Sequence, residues 1–171
     1  MTDRKKWVRF ALYAVELLLF FTLQEIPGLL PPLMGAKPIL ILSAVLTLSM
    51  REEPIPAMGF GVFAGLLADL AAGFPMGWHA LTYGVLCFFL CVLCGTRMQI
   101  HLYTSVLMGL WSIALAVLLD WLVLYIAAGL SLPGYALINA YLPLFFYTVL
   151  TIPVCYGLNV LIGRYFGRLG A

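Results

Sequence analysis

The stretch Ala57-Met-Gly-Phe-Gly-Val-Phe-Ala-Gly-Leu-Leu-Ala-Asp-Leu-Ala-Ala72 decides how this chain is read. In these sixteen residues the only ionisable side chain is Asp69. Small residues return at every fourth position, Ala57, Gly61 and Gly65, and Asp69 and Gly73 continue the series. Four residues advance a helix by about 400°, so the five positions form a slowly drifting stripe on one helix face. Small residues at this spacing let two helix backbones approach closely, as in Gly-x-x-x-Gly packing. The stripe is read as a tight helix–helix contact, either within the chain or with a partner's helix, or else as a close wall for a ligand.

Outward from this segment, Arg51-Glu-Glu-Pro54 precedes it and Gly73-Phe-Pro-Met-Gly77 follows it. Five more apolar stretches occupy the rest, so the chain reads as one domain, 1–171, with spans at roughly 10–26, 38–50, 57–72, 78–95, 102–128 and 136–162. Pro27-Gly28 ends the first, and the proline-rich Leu29-Leu-Pro-Pro-Leu-Met-Gly35 is assigned to an interfacial loop. Pro38 suits the first turn of the second helix. Pro143 and Pro153 should kink or interrupt the sixth. The fold class is therefore all-α, a polytopic membrane protein of six transmembrane helices.

Composition supports this and excludes other classes. Of 171 residues, 64% are apolar and only 9% are charged. A soluble domain carries about 45–50% and about 25%, so a water-soluble enzyme and a disordered chain are both excluded. The net charge of +2 gives no footing for nucleic acid. Cys87, Cys91, Cys94 and Cys155 lie inside apolar runs and read as small hydrophobes. Arg97, the basic residue nearest the Cys91-x-x-Cys94 pair, is expected at the cytoplasmic end of the span, so little there lowers a thiol pKa.

The second and third spans are short for a bilayer that needs about 20 helical residues. A re-entrant hairpin would bury Arg51, Glu52 and Glu53 together, at about 2.5–3.5 kcal/mol per charge. Two short spans with local thinning cost less, although the sequence leaves open whether they cross completely. Basic residues orient the chain. With both termini cytoplasmic, Arg4, Lys5, Lys6, Arg9, Arg51, Arg97, Arg164 and Arg168 lie inside and only Lys37 outside, the skew that the positive-inside rule requires. The basic N-terminal run leads into residues 10–26 without a small-residue cleavage site and reads as a retained span.

Ionisable residues within such spans are costly and face the bundle interior. Asp69, Asp120, Glu25 and His79 all fall toward the external side. With Trp78 they define a candidate outer-face polar cavity, to be weighed against carboxyls simply bonded to neighbouring polar groups. They come from four helices with no metal-ligand spacing. Glu16 lies near the middle of the first span with no basic residue at its depth. It is protonated, paired with a hydroxyl, or buried against another chain. No Ser/His/Asp set, phosphate loop or His-Glu-x-x-His is present, so no catalytic, cofactor or metal residue is assigned.

The stretch Gly59-Phe-Gly-Val-Phe-Ala-Gly-Leu-Leu-Ala-Asp-Leu-Ala-Ala-Gly-Phe-Pro-Met-Gly-Trp-His-Ala-Leu81 resembles the family of rod shape-determining protein MreD. That family shows a Gly-rich helix, an Asp, a Gly and a Pro-Leu-Gly-Leu-His-Ala-like turn. Asp69, Gly73, Pro75, Gly77, His79, Ala80 and Leu81 match, while Met76 and Trp78 replace the usual leucines. Lys37-Pro-Ile-Leu-Ile-Leu is similar to the family's start of span two. The motif covers a small part of the chain, whereas length, hydrophobic pattern and basic N-terminus agree over most of it.

The resemblance implies a non-enzymatic scaffold in the bacterial cytoplasmic membrane, a component of the elongation machinery. Its partners would be membrane lipid, the bitopic protein MreC and, through it, MreB, RodA and a penicillin-binding transpeptidase. The rival reading is the substrate-binding subunit of an energy-coupling-factor vitamin transporter. That class also has six short spans, and a fold shared with it is expected. The docking motif Ala-x-x-x-Ala often found in its first span is broken here, since Val15 follows Ala11. A membrane-embedded enzyme using Asp69 and Asp120 is a third reading.

Overall fold

The first helix, α1 (Asp3–Glu25), ends where Pro27-Gly28 forbids another turn; Gly28 takes φ +84°, a left-handed value glycine adopts without strain. A computed structural model describes residues 3–29, 36–72, 77–97, 102–123 and 133–168. Among them there are helices and no strands, so the chain is all-α. The helices are α2 (Leu40–Ser49), α3 (Pro54–Ala72), α4 (Trp78–Arg97) and α5 (Leu102–Trp121). A helical turn at Pro133–Ala136 and a π-helical segment at Leu137–Tyr141 then lead into α6 (Leu142–Arg168).

The starts of α2 and α3 differ from the sequence reading for local reasons. Pro38 precedes the helix rather than occupying its first turn, because α2 begins at Leu40. Conversely, α3 begins at Pro54, three residues before the start assigned from hydropathy. Pro54 and Pro56 fit there because first-turn N–H groups have no intrahelical acceptor to lose. Pro143 acts as anticipated: the wider π turn ends immediately before α6, next to the proline that removes a backbone donor. Pro153 lies inside α6 and does not interrupt it.

Contacts show how the segments run. At one end Arg9 meets Glu52, Cys91 donates to the Glu52 carbonyl, Ser105 reaches Met50 and the Arg51 guanidinium lies over the Tyr156 ring. At the other end Gln24 meets Ile41, Asp69 meets His79, Trp78 meets Asp120 and Ile39 meets Thr148. Successive helices therefore alternate in direction, and the N-terminus shares an end with residues 51–53.

Among the described residues four helices are long and apolar enough to cross a membrane: Lys6–Glu25, Pro54–Ala72, Leu102–Trp121 and Leu137–Ile162. The apolar helices Leu40–Ser49 and Trp78–Cys94 are shorter. All ten residues of α2 are buried, and it touches α1, α3, α4, α5 and α6. It is the core of the bundle, with no side facing lipid.

At about 15 Å, α2 alone is too short to cross. The non-helical residues 36–39 add up to about 13 Å. Side chains of α1 and α6 satisfy backbone N–H groups at the start of this segment that have no intrahelical acceptor. The Ile39 N–H donates to Thr148 Oγ1 at 3.1 Å and the Ile41 N–H to Gln24 Oε1 at 3.4 Å. Further along, Ser43 Oγ donates to the Thr148 carbonyl (3.0 Å), Thr151 Oγ1 to Ser43 Oγ (2.7 Å) and Asn159 Nδ2 to Thr47 Oγ1 (3.0 Å). A polar ladder thus joins α2 to α6 inside an otherwise apolar core.

Candidate functional site

The third helix carries its small-residue stripe directly into α4. Ala57, Gly61, Gly65 and Asp69 are buried on α3. A Cβ at Gly61 would stand 2.6 Å from the Tyr83 carbonyl oxygen and 2.8 Å from Gly84 Cα; at Gly65 it would overlap the His79 carbonyl and the Ala80 backbone. The stripe is thus a contact within the chain, between α3 and α4. Gly73, its last member, lies outside the described residues, as do most of the turn 73–77 and the loop segments 30–35 and 124–132.

The close approach brings Asp69 onto the first turn of α4. Its Oδ2 accepts from the Gly77 N–H (2.8 Å) and the Ala80 N–H (3.4 Å). Its Oδ1 accepts from the His79 N–H at 3.0 Å and faces His79 Nδ1 at 2.7 Å. The first N–H groups of a helix have no intrahelical acceptor and carry the positive end of its dipole. Asp69 caps α4 from the neighbouring helix, ten residues from His79 and outside the local capping pattern. Gly77 delivers its N–H from φ +106°, a conformation that strains any residue with a Cβ.

The His79 ring continues the chain of polar contacts. Nε2 lies 3.4 Å from Asp120 Oδ2, and Asp120 Oδ1 accepts from Trp78 Nε1 at 2.8 Å. The Tyr83 ring packs edge-on against the imidazole, centroids 5.5 Å apart. Asp69, His79 and Asp120 are all buried. The two ring nitrogens point opposite ways, so the carboxyls flank the imidazole rather than converge on a point. Among the described residues no His, Cys, Asp or Glu group forms a metal-binding arrangement.

Four of the five residues assigned to an outer polar cavity therefore come together: Asp69, Trp78, His79 and Asp120. Glu25 does not join them; it is exposed and its Oε1 accepts from Gln24 Nε2 at 3.4 Å. The four bond to one another and to the start of α4 rather than around an open space. Glu16 stands elsewhere, on α1, where it lines an apolar groove shared with α6.

Sequence reasoning missed two polar arrangements. One is the α2–α6 ladder of Ser43, Thr47, Thr148, Thr151 and Asn159. The i, i+4 spacing of Ser43 and Thr47 signals a common face but not its partner. The other is the ion pair of Arg9 with Glu52, 2.9 Å between Nη2 and Oε2. Burial pushes the Glu52 carboxyl above the usual carboxylate range, and the Arg9 guanidinium pulls it partly back. The sequence placed both at the same membrane face but not in contact.

The cysteines are buried, as their apolar surroundings imply. Compared with protein-family models, with curated proteins and with solved structures, the chain matches none of them.

Proposed function

We propose that the chain is a non-enzymatic membrane scaffold of the bacterial cell-elongation complex, supporting lateral-wall peptidoglycan synthesis. In this reading it is a six-span protein of the cytoplasmic membrane with both termini inside. MreC is its direct partner and links it to MreB, RodA and a penicillin-binding transpeptidase. One observation carries the choice of a scaffold over a ligand-binding subunit: the outer polar residues are used up in holding the fold. Asp69 caps α4, His79 sits between two carboxyls, and Asp120 anchors Trp78. Motif residues that resemble the MreD turn thus have packing and capping work, which is what a scaffold asks of them.

Two further features support the topology. The alternating helices put the N-terminus and residues 51–53 at one end, where Arg9 and Arg51 lie. That end is the cytoplasmic one by the positive-inside rule. The Ile39 and Ile41 N–H groups at the start of the short second segment are satisfied by Thr148 and Gln24, which supports a second crossing.

Affinity purification in mild detergent, with mass spectrometry of the co-purifying proteins, tests the proposal. MreC or RodA is the expected result. An ATPase pair with a coupling subunit, or no elongation protein at all, overturns it.

A further inference from the structure

The first helix is loosely held. It packs on α2 and touches α3, but Leu12, Val15, Leu19 and Leu23 remain exposed along one side. These four, with Leu158 and Ile162 of α6, line a groove of about 300 Å³ between the two helices. On α1 the lining residues are spaced by three or four, the spacing of a seam that receives another helix.

Glu16 lines the same groove and distinguishes it from an ordinary lipid-facing furrow. The residue is 7% exposed, and neither carboxyl oxygen has a hydrogen-bond partner. The bilayer interior has no water to supply one, and an unpaired polar group there is expensive whether ionised or not. An acyl chain can fill the groove but cannot bond to a carboxyl. A second helix can do both. Because Glu16 already lines the groove, rotation about its own side-chain bonds presents the carboxyl to an occupant.

We infer that the α1–α6 groove is the seat of a transmembrane helix of another protein, which places a hydrogen-bonding side chain (Ser, Thr, Asn, Gln, Lys or Arg) against Glu16. This deepens the scaffold reading and rests on it for the existence of a membrane partner.

The test is photo-crosslinking in the native membrane. A photoreactive amino acid is placed at Leu19 or Leu158 in the groove, and at Trp111, exposed on α5, as control. Adducts are expected at the first two positions and not at 111. The crosslinked peptide should be an apolar segment of another protein with one of the named side chains within a turn. Glu16→Leu should reduce adduct yield on the order of 3- to 20-fold, the range of one interhelical hydrogen bond in membranes, and Glu16→Gln should largely preserve it.

The thermal midpoint of purified Glu16→Leu should equal or exceed that of wild type, since it removes an unpaired buried carboxyl. A partner contact is thus separated from a folding defect. The inference is overturned by adducts only to lipid, by adducts to a second copy of this chain, by no adduct in the groove, or by yields indifferent to Glu16→Leu. If elongation proteins co-purify but crosslink elsewhere, this inference fails and the scaffold reading stands. If a helix crosslinks here but belongs to no elongation protein, the reverse holds.

Discussion

The α3–α4 contact makes Gly65→Ala a demanding substitution, although it adds only one methyl group. Its Cβ would overlap backbone atoms of His79 and Ala80, which cannot rotate away as a side-chain tip can. At Gly61, one turn earlier, the added Cβ would lie 2.6 Å from the Tyr83 oxygen. Ordinary contact is about 3.5 Å, so α4 must retreat by roughly 0.9 Å there and further at Gly65. Overpacking of this kind costs about 1–3 kcal/mol. A retreat of about 1 Å also stretches the Asp69 bonds to Gly77 and His79, now 2.8 and 3.0 Å, beyond hydrogen-bonding range. Losing one such bond costs about 1.5–3 kcal/mol. Alanine regains about 1 kcal/mol of helix propensity.

The net expectation for Gly65→Ala is a loss of about 2–4 kcal/mol. Gly59, on the same helix with nothing within 4 Å of its Cβ position, is the matched control. Gly59→Ala should be neutral or gain up to about 1 kcal/mol. Equilibrium unfolding in mixed micelles, followed by circular dichroism, measures both. A Gly65→Ala protein within about 0.5 kcal/mol of wild type, or a Gly59→Ala protein equally damaged, would refute the packing argument.

Three other substitutions probe the remaining contacts. Asp69→Asn replaces an accepting oxygen with an N–H₂ group that faces N–H donors, so it should cost about 1–3 kcal/mol, with Asp69→Leu worse; equal stability of all three proteins would remove the capping role. Arg9→Met leaves Glu52 without its cation. A carboxyl whose folded pKa is raised stabilises the fold most below its unfolded value, near 4.5, and that stability fades as pH rises through the folded value. Removing Arg9 raises that value further, so the thermal midpoint should fall more steeply above pH 4.5 than in wild type; parallel curves would show that the pair is electrostatically idle. In a cysteine-free background of intact cells, Leu29→Cys should react with an impermeant maleimide and Glu53→Cys should not, and the opposite pattern would invert the topology.

Much of this molecule was legible from residue order. Helical class, the approximate position of each segment and the common end of Arg9, Arg51 and the N-terminus follow from apolar run length and charge placement. These are one-dimensional properties, because the bilayer imposes a length and a charge asymmetry on any chain that enters it. The stripe Ala57, Gly61, Gly65 likewise announced a close contact, since removing Cβ atoms from one face serves little else. What periodicity left undecided was the identity of the opposing surface. Only the folded chain shows that the stripe faces α4, that Asp69 caps the helix following its own, and that Glu25 stays apart from Asp69, His79 and Asp120.

The second segment marks the boundary most clearly. Its hydropathy resembles that of its neighbours, yet it is a ten-residue core helix with non-helical backbone before it. Pro38 marks the break locally, but an apolar run carries no signal for the tertiary bonds that stabilise it. The break becomes stable only when Thr148 and Gln24, distant in sequence, satisfy the freed N–H groups. Glu16 is the complementary case: sequence marked it as anomalous by its depth. Tertiary packing then surrounded it with apolar side chains and no donor. Its hydrogen-bonding need depends on which atoms from other helices arrive, and no order of residues along one helix specifies that.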